Sequence, residues 1–362
     1  MADRTPTGVI VQRLEHYGLM RYRTLGNSGA VVSTFALGTM TFGAEADEAT
    51  SHAILDGYVA AGGNLIDTAD VYSTGVSEEI FGNWLAAHPT DGEQVVVATK
   101  GRFSMGDGPN DLGTSRRHLG RALDASLRRL GVAQIDLYQM HSWDGVTPLE
   151  ETLRFLDDAV RSGKIAYYGF SNFLGWQLTK AVHVARANGF TPPITLQPQY
   201  SLLVREIESE IVPACLDANI GLLPWSPLAG GWLTGKYQRD ADPTGATRLG
   251  DDPDRGMEAW APRNKQERTW RILDAVGEVA KAQGVNQAQV SLAWLEAQPA
   301  VTSVILGART TEQLADNLGA ASIELTPDEL ERLDEVSAPV VADYPYGKAA
   351  ADQRYRAIDV SG

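Results

Sequence analysis

The stretch NLIDTADVY, residues 64–72, is the clearest indicator of the fold, because an apolar run ends there in a carboxylate and a phenol follows. Two later runs share this design. QVVVATK, residues 94–100, ends in a lysine, and QIDLYQMH, residues 134–141, ends in a histidine. If these runs are parallel strands of one barrel, their carboxyl ends meet at a single rim. That rim would gather four side chains able to hand a proton to a carbonyl: Asp67, Tyr72, Lys100 and His141.

The rest of the chain repeats one unit, a strand-like run followed by a helix-like stretch. Most runs are apolar almost throughout, as expected of parallel strands whose outer faces are covered by helices. Eight such units predict an α/β protein folded as a single (β/α)8 TIM barrel. The predicted strands cover residues 35–40, 64–70, 94–100, 134–141, 164–171, 194–200, 220–227 and 301–308. The clearest predicted helices cover residues 47–61, 115–130, 148–162 and 176–188, each followed by a glycine.

Some segments lie outside this repeat. Residues 21–33, with NSG in the middle, predict a β-hairpin that caps the bottom of the barrel. Residues 228–265 are rich in Gly, Pro and Asp and too long for a simple connection, so they are a candidate functional loop after strand seven. The barrel domain is assigned to residues 20–339, between an N-terminal extension at 1–19, a candidate for disorder, and a C-terminal tail at 340–362.

Composition narrows the classes of function. The chain has 362 residues and a formal net charge of −15, which argues against a nucleic-acid or anionic-membrane partner. Cys215 is its single cysteine, which excludes an internal disulfide and favours a reducing cytoplasm. Residues 1–20 lack the apolar core of a secretory signal, and no run approaches the ~20 apolar residues that a bilayer requires. We therefore expect a cytoplasmic protein, and the sequence does not reveal whether it forms a homo-oligomer.

The four rim residues have complementary acid–base properties. A phenol is protonated at neutral pH, so Tyr72 can be the acid for a carbonyl oxygen that gains negative charge as hydride arrives. Losing that proton at pH 7 costs about 4 kcal/mol, and a neighbouring Lys100 cation lowers this cost. Asp67 keeps the lysine charged, and His141 orients or polarises the carbonyl. Each residue alone is more often structural, so the prediction rests on their joint position.

Other motifs are incomplete or missing. GGWLTGKY, residues 230–237, nearly matches a phosphate-binding P-loop, but Tyr237 stands where that loop requires Ser or Thr. Its backbone and Lys236 could still hold a phosphate. No G-x-G-x-x-G follows a strand, which argues against a Rossmann site, and no G-x-S-x-G elbow indicates a serine hydrolase. The six histidines are scattered without an H-E-x-x-H motif, so we predict no metal.

These motifs resemble the aldo-keto reductase family from Met20 to about Val336. IDTADVY, ATK and the strand-end histidine match the family's catalytic tetrad, which falls on the four rim residues. GFSN, LQPQY, PWSPLAGGWLTGKY and GARTTEQLADN resemble the branch that contains potassium-channel β-subunits and bacterial aldehyde reductases. The resemblance implies a nicotinamide cofactor that lies extended across the barrel mouth without a Rossmann domain.

The resemblance also implies which residues hold the cofactor. Amide groups recognise the carboxamide, an aromatic ring stacks on the nicotinamide, and a helix start lies near the phosphates. An arginine reading the 2′-phosphate by bidentate contact favours NADPH over NADH. The implied contacts are Gly38, Thr39, Met40 and Asp67 at the first strands; Ser171, Asn172 and Gln197 at the carboxamide, with Tyr200 on the ring; Trp225, Ser226, Pro227, Leu228, Ala229, Gly231 and Lys236 at the pyrophosphate; and Gly307, Arg309, Gln313, Asp316 and Asn317 at the adenosine, with Arg248 assisting Arg309.

Three functions follow from these residues. The leading hypothesis is NADPH-dependent reduction of small to medium aldehydes and ketones. The alternative is a non-catalytic nicotinamide-sensing regulatory subunit that binds a protein partner, as the channel subunits it resembles do; the retained His141 argues against it. A third is an aldolase with a Schiff base on Lys100, which Asp67 opposes by keeping the amine protonated. The aromatic residues expected to form an apolar substrate pocket are Phe42, Phe103, Trp143 and Trp232.

Overall fold

A computed structural model describes residues 20–353 except for 240, 246 and 255. The expected disorder of residues 1–19 and the last part of the tail, 354–362, lie outside the described residues. The assignment of the domain to residues 20–339 remains a prediction. No helix of the described chain is long and apolar enough to cross a membrane.

The chain forms a parallel barrel whose strands lie within the apolar runs of the sequence. The strands are β1 (Tyr22–Thr24), β2 (Val31–Ser33), β3 (Phe35–Gly38), β4 (Leu65–Asp67), β5 (Val96–Gly101), β6 (Ile135–Met140), β7 (Ile165–Ser171), β8 (Thr195–Gln197), β9 (Gly221–Leu222) and β10 (Val304–Gly307). β3 to β9 pair in sequence order, and β10 pairs with β3. Hydrogen bonds from Leu222 N to Ala300 O and from Thr302 N to Leu222 O join the remaining edges. The predicted (β/α)8 barrel is confirmed.

Helices cover the outside of the barrel and begin and end at the residues that the sequence suggests. The side chain of Asp47 accepts a hydrogen bond from Thr50 N at 2.8 Å at the start of the first helix. Gly131 ends the fourth helix at φ 68°, a left-handed conformation that glycine adopts without strain. The helices are α1 (Glu48–Ala60), α2 (Val76–Ala87), α3 (Pro89–Gly92), α4 (Arg116–Leu130), α5 (Leu149–Arg161), α6 (Gly175–Ala187), α7 (Ile211–Ala218), α8 (Arg248–Asp251), α9 (Trp260–Asn264), α10 (Glu267–Gln283), α11 (Gln287–Glu296), α12 (Thr311–Leu318), α13 (Pro327–Ser337) and α14 (Lys348–Asp352).

The hairpin of β1 and β2 closes the bottom of the barrel, as predicted. Its Leu25 and Val32 are fully buried against inward-facing residues of the barrel strands. Burying a Leu or Val side chain contributes about 1.5–3 kcal/mol. Leu25, Val32 and the inward-facing residues that they contact form an apolar plug at this end. The opposite, carboxyl-terminal rim is therefore the open end of the barrel. The inward-facing residues of this plug are Ala36, Leu65, Ala98, Leu137, Ile194, Leu223 and Ile305.

The long segment between β9 and α10 carries α8, α9 and the short 3-10 turns Ala229–Thr234 and Gly256–Glu258. Aromatic stacking anchors it, because the rings of Trp232 and Trp260 lie 4.7 Å apart at 9°. Trp232 and Phe42 are fully buried in the core. The prediction that Trp232 and Phe42 line a substrate pocket is therefore wrong. Both rings instead pack their loops onto the barrel.

Candidate active site

The four rim residues come together because strand register aligns their positions. Asp67 ends β4, Lys100 lies in β5, and His141 directly follows β6. His141 N donates a hydrogen bond to Gly101 O at 3.1 Å, which continues the ladder past the last residue of β6. Tyr72 opens a 3-10 turn just beyond β4. Parallel pairing therefore brings all four to one side of the rim, as the sequence predicted.

Lys100 is the centre of this group. Its side chain is fully buried, and Nζ donates to Asp67 Oδ2 at 2.6 Å, to Thr68 O at 2.8 Å and to Tyr72 Oη at 3.2 Å. The three donated bonds use the full donor capacity of an ammonium. Lys100 therefore holds the phenol of Tyr72 on one side and the carboxylate of Asp67 on the other.

Two glutamines on β6 and β8, strands that do not pair with β4, hold Asp67 in place. Its other oxygen, Oδ1, accepts a hydrogen bond from Gln197 Nε2 at 3.0 Å and from Gln139 Nε2 at 3.3 Å. Both glutamines are buried. A buried charge is tolerated when it is paired and its remaining lone pairs are satisfied. The carboxylate is consequently locked in the orientation that faces Lys100.

The charges around Lys100 and Tyr72 favour a protonated, positively charged lysine beside a protonated phenol. Burial lowers the pKa of Lys100, but Asp67 and Tyr72 outweigh it and the net pKa is raised. Burial raises the pKa of Tyr72, while Lys100 opposes that rise. Tyr72 lines an open cleft with the rest of its side chain half-buried. Its hydroxyl is thus a proton donor whose anion Lys100 is placed to stabilise.

His141 is neutral at physiological pH. Its pKa lies well below the ordinary value because of burial and, next, the positive charges of Lys100 and Arg102. Its ring lies 5.8 Å from that of Tyr72 and 4.6 Å from that of Phe103, edge-on in both cases. A neutral imidazole offers one N–H donor to a carbonyl oxygen. His141 can therefore orient a substrate without adding charge.

These residues open into a cleft of about 830 Å³. Large ligands bind in concave, mostly apolar sites with a few placed polar groups. One end carries the acid–base residues and the polar side chains of Ser171, Asn172 and Gln197, and the lining also includes three cationic side chains. The cleft residues assigned from sequence are Gly38, Met40, Asp67, Tyr72, His141, Ser171, Asn172, Gln197, Trp225, Ser226, Pro227, Leu228, Gly231, Lys236, Arg248, Gly307, Arg309, Gln313 and Asn317, together with Phe103 of the aromatic residues expected in the substrate pocket.

Some assigned residues do not reach the cleft surface. Lys100 and Thr39 are fully buried and bond to Asp67 from beneath, Lys100 through its ammonium and Thr39 N to the Asp67 carbonyl at 2.9 Å. Ala229 is fully buried as well. Asp316 accepts a hydrogen bond from Asn286 Nδ2 at 2.9 Å. Thr39, Ala229 and Asp316 were expected to contact the cofactor, but the side chains of these three residues do not line the cleft.

Tyr200 presents no ring face to the cleft, contrary to the expectation from sequence. It is 1% exposed, its hydroxyl donates to Glu208 Oε1 at 2.6 Å, and its ring packs edge-on against Trp294. The aromatic ring that lines the cleft beside Asn172 is Trp225, whose Nε1 donates to Asn172 Oδ1 at 3.1 Å. A flat ring beside the carboxamide residues is thus supplied by Trp225.

Three cations line the cleft together. Burial lowers the pKa of Lys236, and the nearby charges of Arg309 and Arg248 lower it further. Arg309 also pairs with two carboxylates, Nε lying 2.8 Å from Glu45 and Nη1 3.7 Å from Asp251. An anion bound here would offset the positive charges that lower the pKa of Lys236. This donor set fits the phosphates of a dinucleotide.

The loop around residues 225–231 is shaped for close approach of a ligand. Gly231 has φ 95°, a conformation that other residues rarely adopt, and a Cβ there would lie 2.6 Å from Lys236 Nζ and displace the ammonium. Ser226 and Ala229 adopt positive φ at 53° and 49°. A positive φ strains the backbone of a residue other than glycine, and residues strained in this way cluster at functional sites. The backbone here is held in an unusual shape at the wall of the cleft.

Sequence reasoning missed several residues of the site, both in the cleft lining and, like the fully buried Gln139, behind it. Gln139 lies at an inward position two residues before His141, so strand alternation could have found it. Glu258 had no such signal, because it lies on the irregular long segment. Its Oε1 accepts hydrogen bonds from Gln199 Nε2 at 2.5 Å and Ser226 Oγ at 3.1 Å. Gly230, within the stretch 225–231 expected at the pyrophosphate, also lines the cleft; the lining residues not assigned from sequence further include Thr41, Ser142, Thr234, Thr247, Leu249, Gly256, Met257, Ile305 and Leu306.

A (β/α)8 barrel with a buried carboxylate and lysine beside a half-buried tyrosine, at the rim of a cleft suited to a dinucleotide, is typical of oxidoreductases built on this barrel. The sequence model of the Aldo/keto reductase family matches residues 34–338. The chain belongs to this family.

Relatives in the family include enzymes and channel subunits. The chain is 38% identical over 325 residues to the "Uncharacterized oxidoreductase YrpG" of Bacillus subtilis (strain 168), covering 88% of this chain and 96% of the relative. It is 34% identical over 343 residues to the versiconal hemiacetal acetate reductase of Aspergillus parasiticus, covering 88% and 98%. It is 36% identical over 321 residues to a probable voltage-gated potassium channel subunit beta of Oryza sativa subsp. japonica, covering 88% and 96%. Similarity thus extends over nearly the whole of each relative.

Proposed function

We propose that this protein is a cytoplasmic NADPH-dependent reductase that converts aldehydes and ketones to alcohols, with Tyr72 as the general acid. The observation that carries the proposal is the position of the Tyr72 hydroxyl, which lines the cleft while accepting a hydrogen bond from the buried Lys100. A phenol in that position can donate its proton outward as negative charge forms on a carbonyl oxygen. NADPH, when bound, supplies the hydride.

The protein's own residues divide the work of proton transfer. Lys100 stabilises the tyrosinate that remains after the proton leaves, and Asp67 keeps Lys100 charged. His141, neutral because its pKa is lowered, offers a donor to the same carbonyl oxygen. Preorganised donors of this kind stabilise charge that develops only in the transition state. The group therefore favours reduction over simple binding.

The cofactor residues divide into two groups. Ser171, Asn172 and Gln197 would hold the carboxamide, and the ring of Trp225 would face the nicotinamide. The cations Lys236, Arg248 and Arg309 would hold the phosphates, which is the basis for preferring NADPH to NADH. The similarity to a fungal hemiacetal acetate reductase supports carbonyl chemistry on a small molecule.

The proposal is tested by steady-state consumption of NADPH, with NADH in parallel, against a panel of aromatic and aliphatic aldehydes and ketones. The expected result is NADPH loss matched mole for mole by the alcohol product. NADPH binding without alcohol formation across the panel would reject the reductase.

A second candidate is a nicotinamide-sensing regulatory subunit, favoured by the similarity to plant potassium-channel β-subunits. The same experiment distinguishes it, because such a subunit would bind NADPH tightly and show negligible turnover. The intact set of Asp67, Tyr72, Lys100 and His141 makes the reductase the better-supported function.

A further inference from the structure

A second buried carboxyl group lies next to the strand that carries Lys100 and takes no part in the chemistry described so far. Asp70 stands between Asp67 and Tyr72 in the chain and is fully buried. Its backbone N–H donates to Lys100 O at 3.0 Å. Neither of its carboxylate oxygens accepts a well-formed hydrogen bond from the described residues, although Val71 N–H contributes weakly. This carboxyl is thus tied to the lysine strand and poorly satisfied.

Asp70 shares its surroundings with a buried phenol. A Cβ at Gly101, the residue after Lys100, would lie 3.5 Å from Asp70 Oδ2 and 2.2 Å from Tyr138 Oη. Both groups therefore press against the backbone next to Lys100. Tyr138 is fully buried and its hydroxyl has no hydrogen-bond partner among the described residues. Burial, followed by the charges of Asp70 and Glu78, raises its pKa well above the ordinary value, so it stays protonated.

No lysine or arginine of the described residues forms an ion pair with Asp70. Glu78 in α2 is also fully buried, but it accepts hydrogen bonds from Thr99 Oγ1 at 2.6 Å and from Arg129 Nε at 2.7 Å. Arg129 is therefore engaged by Glu78. Burial and, next, the charge of Glu78 raise the pKa of Asp70 to about 7, against the opposing charges of Arg129 and Lys100. Asp70 consequently changes its charge in the neutral range.

We propose that Asp70 is a positioning residue of the reductase: by gaining and losing a proton beside the Lys100 strand, two residues before Tyr72, it sets how readily Tyr72 gives up its own proton. This inference rests on the proposed function. A charged Asp70 opposes ionisation of Tyr72, whereas a neutral Asp70 leaves the tyrosinate to the full effect of Lys100. The other charged groups facing Asp70 are Glu78 and Arg129, and their mutual pairing is independent of the cleft.

The test compares the pH dependence of kcat for wild type and Asp70→Asn, which keeps the side-chain shape and removes the charge. The alkaline limb of reduction reports loss of the Tyr72 proton. We expect that limb to move to lower pH by roughly one unit in the variant, because a negative charge near the phenol has been removed. An inflection near pH 7 in wild type should also disappear. Superimposable profiles would overturn the proposal, and the exposed Asp91→Asn serves as the matched control.

Unfolding at several pH values provides a readout that needs no activity. Between the ordinary aspartate value of 3.8 and about 7, folded Asp70 binds a proton that the unfolded chain does not. Stability therefore declines as pH rises through this range, and Asp70→Asn should lack that decline. The Tm advantage of the variant should be larger at pH 8 than at pH 5. An equal difference at both pH values would show that Asp70 holds no such proton and would overturn the proposal. A wild type with no turnover would instead remove the proposed function, and the tuning of Tyr72 with it.

Discussion

The ammonium of Lys100 lies 2.6 Å from a carboxylate oxygen of Asp67, and both side chains are buried at the end of the barrel. Lys100 Nζ donates its other two hydrogen bonds to Thr68 O and to the Tyr72 hydroxyl. A single ion pair therefore fixes the position and the charge of the group that faces the proposed acid.

Tyr72→Phe is expected to lower kcat/KM by roughly 10²–10⁴-fold, the usual contribution of a general acid. NADPH binding should persist, because the ring stays in the cleft and only the hydroxyl bonded to Lys100 is lost. Steady-state rates and a fluorescence titration with NADPH separate the two effects. Tyr22→Phe is the matched control, since its hydroxyl donates to Gly62 O in the hairpin at the opposite end. Wild-type rates in the Tyr72 variant would exclude this residue as the acid.

Asp67→Asn is expected to destabilise the fold by about 3–5 kcal/mol, because it leaves the buried Lys100 charge without its partner. The pKa of Lys100 is raised in the folded protein. The stabilisation from the pair is therefore complete below the ordinary lysine value of 10.5 and is lost only as pH rises through the folded value. Denaturant unfolding at pH 7 measures the cost.

The control for this cost is Asp67→Asn combined with Lys100→Met, which removes both charges. Stability should partly recover in the double variant, since no uncompensated charge remains buried. A single variant as stable as wild type, or a double variant less stable than the single one, would contradict a strong ion pair.

His141 should make the protein sensitive to acid. Its folded pKa is lowered well below the ordinary value of 6.5 by burial and by Lys100 and Arg102. The unfolded chain therefore binds this proton first, and stability falls as pH drops below about 6.5. His141→Gln should show a smaller fall in Tm between pH 7 and pH 5 than wild type. Equal falls in both proteins would argue against a buried neutral imidazole, and the exposed His183→Gln provides the comparison.

Arg309→Ala is expected to weaken NADPH binding by roughly 10- to 100-fold, in line with the ~1.5–3 kcal/mol of a hydrogen bond to a charged group. NADH binding should change little, because NADH lacks the 2′-phosphate. The ratio of the two Kd values is the measurement, and Arg332→Ala, on the exposed face of α13, is the control. A loss that is equal for both cofactors would assign Arg309 to the shared part of the dinucleotide.

The partners of Arg309 allow a second measurement. Glu45 and Asp251 both lie within ion-pair distance of its guanidinium. Glu45→Gln should leave NADPH binding unchanged or tighter, since it removes a competitor for the arginine. Weaker NADPH binding in that variant would indicate that the pair with Glu45 is needed to orient Arg309.

Much of the fold was predictable because parallel strands and helix ends leave simple signals. Continuous apolar runs marked the barrel strands, and the polar residues at their ends marked the rim. The alternation of side chains along a strand would also have corrected the prediction that the Tyr200 ring stacks on the nicotinamide. Gln197 and Gln199 both line the cleft, so Tyr200 belongs to the opposite face, where the structure has it packed on Trp294.

The cleft wall was less predictable because its residues belong to an irregular segment. Side chains alternate between the two faces of a strand, so Trp225 is expected on the same, inward face as Leu223. Trp225 lines the cleft at the open end of that face. Glu258 and Met257 lie beyond α8 on a stretch without periodicity. Their position depends on the stacking of Trp232 with Trp260, a tertiary contact that no local pattern encodes.

Glu258→Gln is expected to speed NADPH release by roughly 10-fold. Glu258 joins the long segment to the cleft wall through Gln199 and Ser226, and Arg263 lies 3.2 Å from its other oxygen. Hydrogen bonds to a charged group contribute about 1.5–3 kcal/mol, and an amide retains only part of that.

A competing effect acts in the opposite direction, because removing a carboxylate from a phosphate-binding cleft reduces repulsion. Arg263, 3.2 Å from the carboxylate, offsets this repulsion, so loosening of the segment should dominate. Stopped-flow release of NADPH measures the outcome, with limited proteolysis near residues 256–264 as an independent readout of loosening. The matched control is Glu267→Gln, which breaks an exposed pair with Arg239 at the end of the same segment. Release that is unchanged or slower in the Glu258 variant would mean that this carboxylate repels the cofactor more than it closes the cleft.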